Sequence, residues 1–200
     1  MFYDAGANAH GLKHDPFKAL VVPRPIGWIS TLSRDGVPNL APYSFFNAMA
    51  TDPHIVMFAS AGRKDSQRNA EETGEFVCNL ATWDLREQMN KSSASVGPEV
   101  DEFVLSGLEM GPSVMVKAPQ VKASPVHLEC VWLQTLKLKT RSGELHPIYD
   151  VVVGEVVGIS IDDRFITDGM VDTAAMKPLS RLGYHDYAVI NELFTMRRPG

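Results

Sequence analysis

The sequence predicts a mainly β chain: a small closed antiparallel barrel with short helices. Three observations predict it. Residues 126–139 alternate apolar and polar, a Ser142-Gly143 turn follows, and residues 148–161 form a second long β-prone run, the pattern of a long hairpin. Residues 24–47 make another: apolar 27–32, a Ser33-Arg34-Asp35-Gly36 turn, then a return through Val37 to Asn47, with Asp and Gly accepting the backbone angles of a tight reversal. The helical signals are short and fall between the earlier strands, which favours a barrel over a parallel sheet.

Length and composition set the bounds. The 200 residues suit a single domain with a substantial core, and 44% hydrophobic with 22% charged residues is ordinary for a globular protein. A net charge of −5 disfavours nucleic acid as a partner, so any anion site must be built locally. Cys78 and Cys130 each sit in an apolar run, as buried reduced thiols do; a disulfide between them stays open. The start of the chain lacks a basic-then-apolar signal pattern, and no apolar run approaches the ~18 residues of a membrane span, so the cytoplasm is the expected location.

In chain order, residues 1–16 are an irregular arm. His10 and His14 are spaced as helical metal ligands are, but Gly11 and Pro16 oppose a helix there. Phe17 to Val22 is apolar, and Pro23 and Pro25 hold Arg24 extended. The return strand after Gly36 is irregular, because Pro38 and Pro42 lack an amide donor and cannot serve a continuous central ladder. Asn39, Tyr43, Ser44, Phe45, Phe46 and Asn47 stand beside the freed main-chain groups. That combination suits a planar ring with a polar edge, or else an edge strand with a bulge.

Residues 49–54 read as a loop and 55–60 as a short apolar strand. A helix is expected over 66–73, with Asp65 or Ser66 as N-cap and Gly74 as its stop. Its N-terminus, with Arg63, Lys64 and the Ser66 hydroxyl, would take a phosphate; the alternative is a capped helix with two solvated cations. Residues 76–80 form a strand, and Thr82 or Asp84 caps a helix to about Lys91. Residues 92–101 are a polar loop and 103–116 a surface segment. In the long strand Leu128, Cys130, Trp132, Leu136 and Leu138 share a face, with Glu129 on the other. Gly154 and Gly158 mark places where another chain can approach closely. A turn is expected at Asp168-Gly169, and residues 188–200 are a tail.

The motifs PRPIGWIST, NLAPYSFFN, GRKDSQRNAEETGEFVCNL, SPVHLEC, VVVGEVVGISIDD and KPLSRLGYHDY occur in that order between Pro23 and Tyr187. Together they resemble the flavin reductase-like family, whose fold is the FMN-binding split barrel, a Greek-key antiparallel barrel. The resemblance implies an NAD(P)H-dependent flavin oxidoreductase and a homodimer with FMN at its interface. It places the ring along Ala41, Pro42, Tyr43, Ser44, Phe45 and Asn47, with Trp28 packing near it. It places the phosphate at Lys64, Asp65 and Ser66, with Ser60, Arg63 and, further along, Arg181 as additional cofactor contacts. Guanidinium meets phosphate in a bidentate way, which is the reason for Arg181; a surface ion pair is the alternative. Lys91 and His127 are candidate substrate contacts, although a solvated Lys and a half-exposed strand His account for them as well.

No residue is assigned a catalytic role, because a flavin carries the redox chemistry and needs only binding, orientation and tuning. There is no dinucleotide GxGxxG, phosphate-loop GxxxxGK[ST] or GxSxG elbow. The usual clue to NADH against NADPH is therefore missing. An FMN-binding carrier or electron-transfer protein without NAD(P)H turnover stays open, as does an enzyme like pyridoxamine-phosphate oxidase, raised by the shared fold only.

Overall fold

The protein is described from a computed structural model, over residues 1–199. Helix α1 (Phe17–Leu20) precedes β1 (Arg24–Pro25), β2 (Gly27–Leu32), β3 (Pro38–Tyr43), β4 (Phe46–Thr51) and β5 (His54–Ala61). Helix α2 (Asp65–Thr73) leads to β6 (Glu75–Leu80), a single 3-10 turn, α3 (Arg86–Lys91), α4 (Glu102–Ser106), β7 (Met110–Gly111) and β8 (Gln120–Val121). The long pair β9 (Val126–Lys139) and β10 (Leu145–Ile161) follows, then β11 (Ile166–Thr167), β12 (Met170–Val171), α5 (Thr173–Met176), β13 (Leu179–Arg181) and β14 (Tyr187–Val189).

Seven strands form one antiparallel sheet in the order β3-β2-β6-β9-β10-β5-β4. Its two edges, β3 and β4, are consecutive in the chain and are joined only by Ser44 and Phe45. The sheet must therefore curl until its ends meet. Tyr43 on β3 packs against Phe58 on β5 at 4.8 Å between ring centroids, and the Phe45 carbonyl accepts the Ala59 amide at 2.8 Å. No ladder joins β3 to β4 among the described residues, so the barrel is split along this seam. The Phe46 ring closes the seam by lying on Gly27, where a Cβ would stand 2.5 Å from it.

The barrel interior holds Ile29, Phe58, Phe76, Cys78, Cys130 and Val152. A second core lies outside the sheet, where Trp28, Leu40, Met89, Phe103 and Leu179 pack together beneath α3 and α4. Strand β2 feeds both, Ile29 inward and Trp28 outward, so its burial shows no alternation. Both cysteines are buried free thiols, and burial pushes the Cys78 thiol up.

Several expectations need correction. The return strand predicted to Asn47 breaks at Ser44-Phe45, and the first half of the 49–54 loop is β4, which turns at Asp52-Pro53 into β5. Strand β4 pairs only with β5 and is largely exposed, so it carries no apolar period to read. The segment 103–116 is not superficial throughout: the Asp101 carboxylate caps α4 by accepting the Phe103 and Val104 amides, and Phe103 is fully buried. A helix of five residues is too short to show a period.

Glu129, on the face opposite Cys130 as expected, is buried. Residues 114–120 fold over it, and its carboxylate accepts the Val114, Met115 and Val116 amides and the Gln120 Nε2 at 2.9 Å. The close approaches at Gly154 and Gly158 come from Phe76 and Met115 of the same chain. Leu136 and Leu138 leave the core because the β9–β10 register shifts between Trp132 and Gln134, which sets Thr135 rather than Leu136 opposite the buried Val152, and both leucines are exposed. Helix α2 is capped at Lys64, one residue earlier than expected, and ends as predicted at Gly74, whose φ is +80°.

Candidate functional site

A cleft of about 520 Å³ opens along the split. One wall is the free edge of β3 and its continuation: Ala41, Pro42, Tyr43, Ser44 and Phe45. This wall exists because Pro42 has no amide to offer a further strand and because the chain leaves the sheet at Ser44. The end of β5 and the start of α2 form the second wall, through Ala61, Arg63, Lys64, Asp65 and Ser66. Ser92 to Val96, Lys18, Glu102 and Tyr149 complete it, with Tyr149 packed on Phe45 at 5.6 Å.

Helix α2 brings positive potential to one end of the cleft. No side chain caps its first turn, so its leading N–H groups remain available to an anion. Behind it runs a buried amide–hydroxyl network. Asn39 Nδ2 donates to Ser66 Oγ at 2.8 Å and to Thr31 Oγ1 at 3.1 Å, and Asn69 Nδ2 donates to the same Thr31 oxygen at 3.1 Å. Ser66 accepts from behind, which leaves its own O–H to donate. The Tyr43 hydroxyl lies beside those of Ser66 and Ser60, and burial pushes it up, so it stays a protonated donor at neutral pH.

Among the cleft cations, Arg63 is committed to Glu71 and Glu72 at 2.8 and 3.4 Å, and Arg68 to Asp65. Lys64 and Lys18 form no ion pair among the described residues. Glu102 is buried and accepts the Leu40 amide at 3.1 Å; burial first, then Asp65 and Asp101, push its carboxyl up. A long cleft of this volume, aromatic and main-chain-lined along one side and cationic at one end, fits a planar ring carrying a phosphate tail.

A family model described as "Flavin reductase like domain" matches residues 19–180. The chain belongs to the flavin reductase-like family. An uncharacterized protein of Halalkalibacterium halodurans is 36% identical over 185 residues, 90% of this chain and 87% of the relative. YwrF of Bacillus subtilis, also uncharacterized, is 34% identical over 194 residues, 92% of this chain and 94% of the relative. Among solved structures, nitrilotriacetate monooxygenase component B from Bacillus cereus superposes with a TM-score of 0.87 at 28% identity, covering 98% of each chain. Flavoredoxin of Desulfovibrio vulgaris gives 0.77 at 19% identity over 98% of this chain and 97% of that one, which shows the fold alone. The fold of this flavin reductase-like protein is the FMN-binding split barrel.

Of the residues singled out in its sequence, Ala41, Pro42, Tyr43, Ser44, Phe45, Arg63, Lys64, Asp65 and Ser66 line the cleft together. Trp28 lies behind the wall, fully buried, and reaches it only through Ser92, to whose Oγ its Nε1 donates at 2.9 Å. Ser60 is also buried behind the wall, donating to the Gly62 carbonyl at 2.7 Å. Asn47 is exposed on β4, beyond the break in the strand, and Lys91 is exposed at the end of α3.

His127 is buried on β9 between Ser160 Oγ at 2.8 Å and the Val121 carbonyl at 2.9 Å; burial pushes it down, and it does not line the cleft. Arg181 lines a neighbouring cavity instead. Sequence reasoning missed Lys18, Glu102 and Tyr149, which come from distant elements and carry no local motif. The small polar run Ser92-Ser93-Ala94-Ser95 was the one available signal for the far wall.

Proposed function

We propose that the protein is an FMN-binding oxidoreductase that takes electrons from NADH or NADPH, a flavin reductase. The observation that carries this reading is the cleft itself: a free strand edge with aromatic neighbours, ending at an uncapped helix N-terminus beside Lys64. The ring lies along Ala41 to Phe45, where Tyr43 and the free main-chain groups of β3 meet its polar edge. The phosphate lies at Lys64, Asp65 and Ser66, taken by the leading N–H groups, the Ser66 hydroxyl and the Lys64 ammonium. Bound FMN supplies the hydride-accepting centre. The protein orients it, shields one face against β3 and leaves the other open for a nicotinamide.

The same reading makes the protein a homodimer with FMN at the interface. The outward apolar side chains Val131, Leu133, Leu136, Leu138 and Ile148 on β9 and β10 support this, since all are more than a third exposed. Among the described residues no helix is long and apolar enough to cross a membrane, and the cytoplasm is the proposed location.

The test is an absorbance spectrum of purified protein with FMN, recorded anaerobically before and after NADH and then NADPH. Bleaching of the flavin band by either is the expected result and names the donor. A bound flavin that neither nucleotide bleaches would move the protein to the carrier and electron-transfer class. A protein that leaves added FMN free in solution would overturn the reading. Separately, Lys64→Gln combined with Ser66→Ala should weaken FMN binding by about tenfold or more, since charged hydrogen bonds are lost. Unchanged affinity by flavin fluorescence would remove the phosphate assignment.

A further inference from the structure

Beside the cleft lies a second cavity of about 280 Å³, which shares Lys18, Pro42, Ser44 and Ser93 with it. Three cationic side chains line this cavity, Lys18, Arg24 and Arg181, and among the described residues no carboxylate does. Arg24 is only 6% exposed. Its guanidinium donates to the Lys18, Val21 and Leu182 carbonyls, all uncharged, and its Nε has no partner. Arg181 faces it directly across the β1–β13 pair and, among the described residues, donates only to the Tyr187 hydroxyl and the Tyr184 carbonyl. Neither arginine pairs with a carboxylate among the described residues.

Like charges directly opposite on paired strands are destabilising, and a buried cation without a counter-ion is costly. Burial first, and then the nearby charge of Arg181, hold the Arg24 guanidinium below its ordinary range. Such an arrangement is relieved when an anion enters. The cavity also touches the proposed flavin site physically: the Arg24 guanidinium stands 5.8 Å from the centroid of Phe45, a wall residue of the cleft.

We propose that this cavity is an oxyanion subsite. It anchors the anionic group of the molecule that exchanges electrons with the flavin, with Arg181 and Lys18 as its more exposed donors and Arg24 as its buried one. The proposal rests on the flavin reading above. The oxyanion comes from one of two sources, the pyrophosphate of a dinucleotide donor or the carboxylate of an organic acid acceptor.

The experiment is calorimetric titration of sodium pyrophosphate, and separately of benzoate, into FMN-loaded protein at fixed ionic strength. It uses the parent, Arg181→Gln and the charge-conserving Arg181→Lys. The parent should bind at least one probe, and the one it binds identifies the source. Arg181→Gln should weaken that binding by about tenfold, with Arg181→Lys retaining most of it. FMN affinity, read by fluorescence, should change less than about twofold in either variant.

Three results would overturn the subsite: neither probe binds, Arg181→Gln binds as the parent does, or Arg181→Gln loses FMN affinity by the same factor. The last would give the cavity to the flavin's own tail. If the parent fails to take FMN, the flavin reading fails on its own, and the same titrations into unloaded protein still decide whether an oxyanion binds here.

Discussion

Glu102 shows how a single side chain couples the cleft to pH. Its carboxyl is raised above the ordinary 4.5, mainly by burial. The folded state therefore favours the protonated acid. Its contribution to stability is complete below about pH 4.5 and is lost as pH rises through the raised folded value. Glu102→Gln keeps an acceptor for the Leu40 amide without the charge, so this variant should melt higher than the parent at pH 7 and equally at pH 4 in thermal unfolding. His127 works in the opposite sense. Burial lowers its pKa from 6.5, so the stability of the neutral ring is present above that value and is lost as pH falls below it. His127→Gln should flatten the acid limb of the stability profile as pH falls below 6.5. At this scale the sequence was legible where backbone chemistry drew attention to a residue. Pro42 and Ser66 were found because a missing amide and a helix start are local facts. Trp28, Ser60 and His127 do not line the cleft, and the sequence did not show this because their position depends on which face of the sheet is covered, and here both faces are, the inner by the barrel core and the outer by other packing.

Among the elements, α2 and β3 carry the site, and each depends on a glycine, Gly74 at the end of α2 and Gly27 on β2, the strand that pairs with β3. Gly74 closes α2 at φ +80°. Gly74→Ala should cost about 1 kcal/mol in denaturant unfolding, the strain of a Cβ in the left-handed region. Gly27 admits the Phe46 ring at the seam. Gly27→Ala should cost about 1–3 kcal/mol by overpacking and should also weaken FMN binding, because the displaced ring is one residue from Phe45. The long alternating strand β9 and the helix before Gly74 were readable because each shows its period or its stop. Strand β4 and helix α4 were not, the first for want of a buried face and the second for want of length. The cover over Glu129 was not legible, because the residues that supply it are 9 to 15 positions away.

For the molecule as a whole, the decisive feature is that one chain supplies both edges of the sheet in succession. Barrel class was legible from the hairpins, but strand order was not. β6 pairs with β9 and β10 with β5, across separations no local pattern encodes. The exposed apolar side of β9 and β10 is the proposed dimer surface. Replacing Leu136 and Leu138 together by Asp should yield a monomer by light scattering, with FMN affinity reduced if the partner completes the cleft. A double variant that stays dimeric would move the interface elsewhere.

The hairpin of β9 and β10 also runs out past its neighbours. β6 leaves β9 after Val131, and β5 leaves β10 before Tyr149, so from Lys139 and Leu145 inward to those points part of the ribbon has no third strand. A two-stranded ribbon is marginal in water by itself. Its amides should therefore exchange with deuterium quickly in dilute protein and slow as concentration rises, while amides of β2 and β6 exchange at one rate throughout. The tip of this hairpin would then act as a built-in gauge of association, readable peptide by peptide without any label.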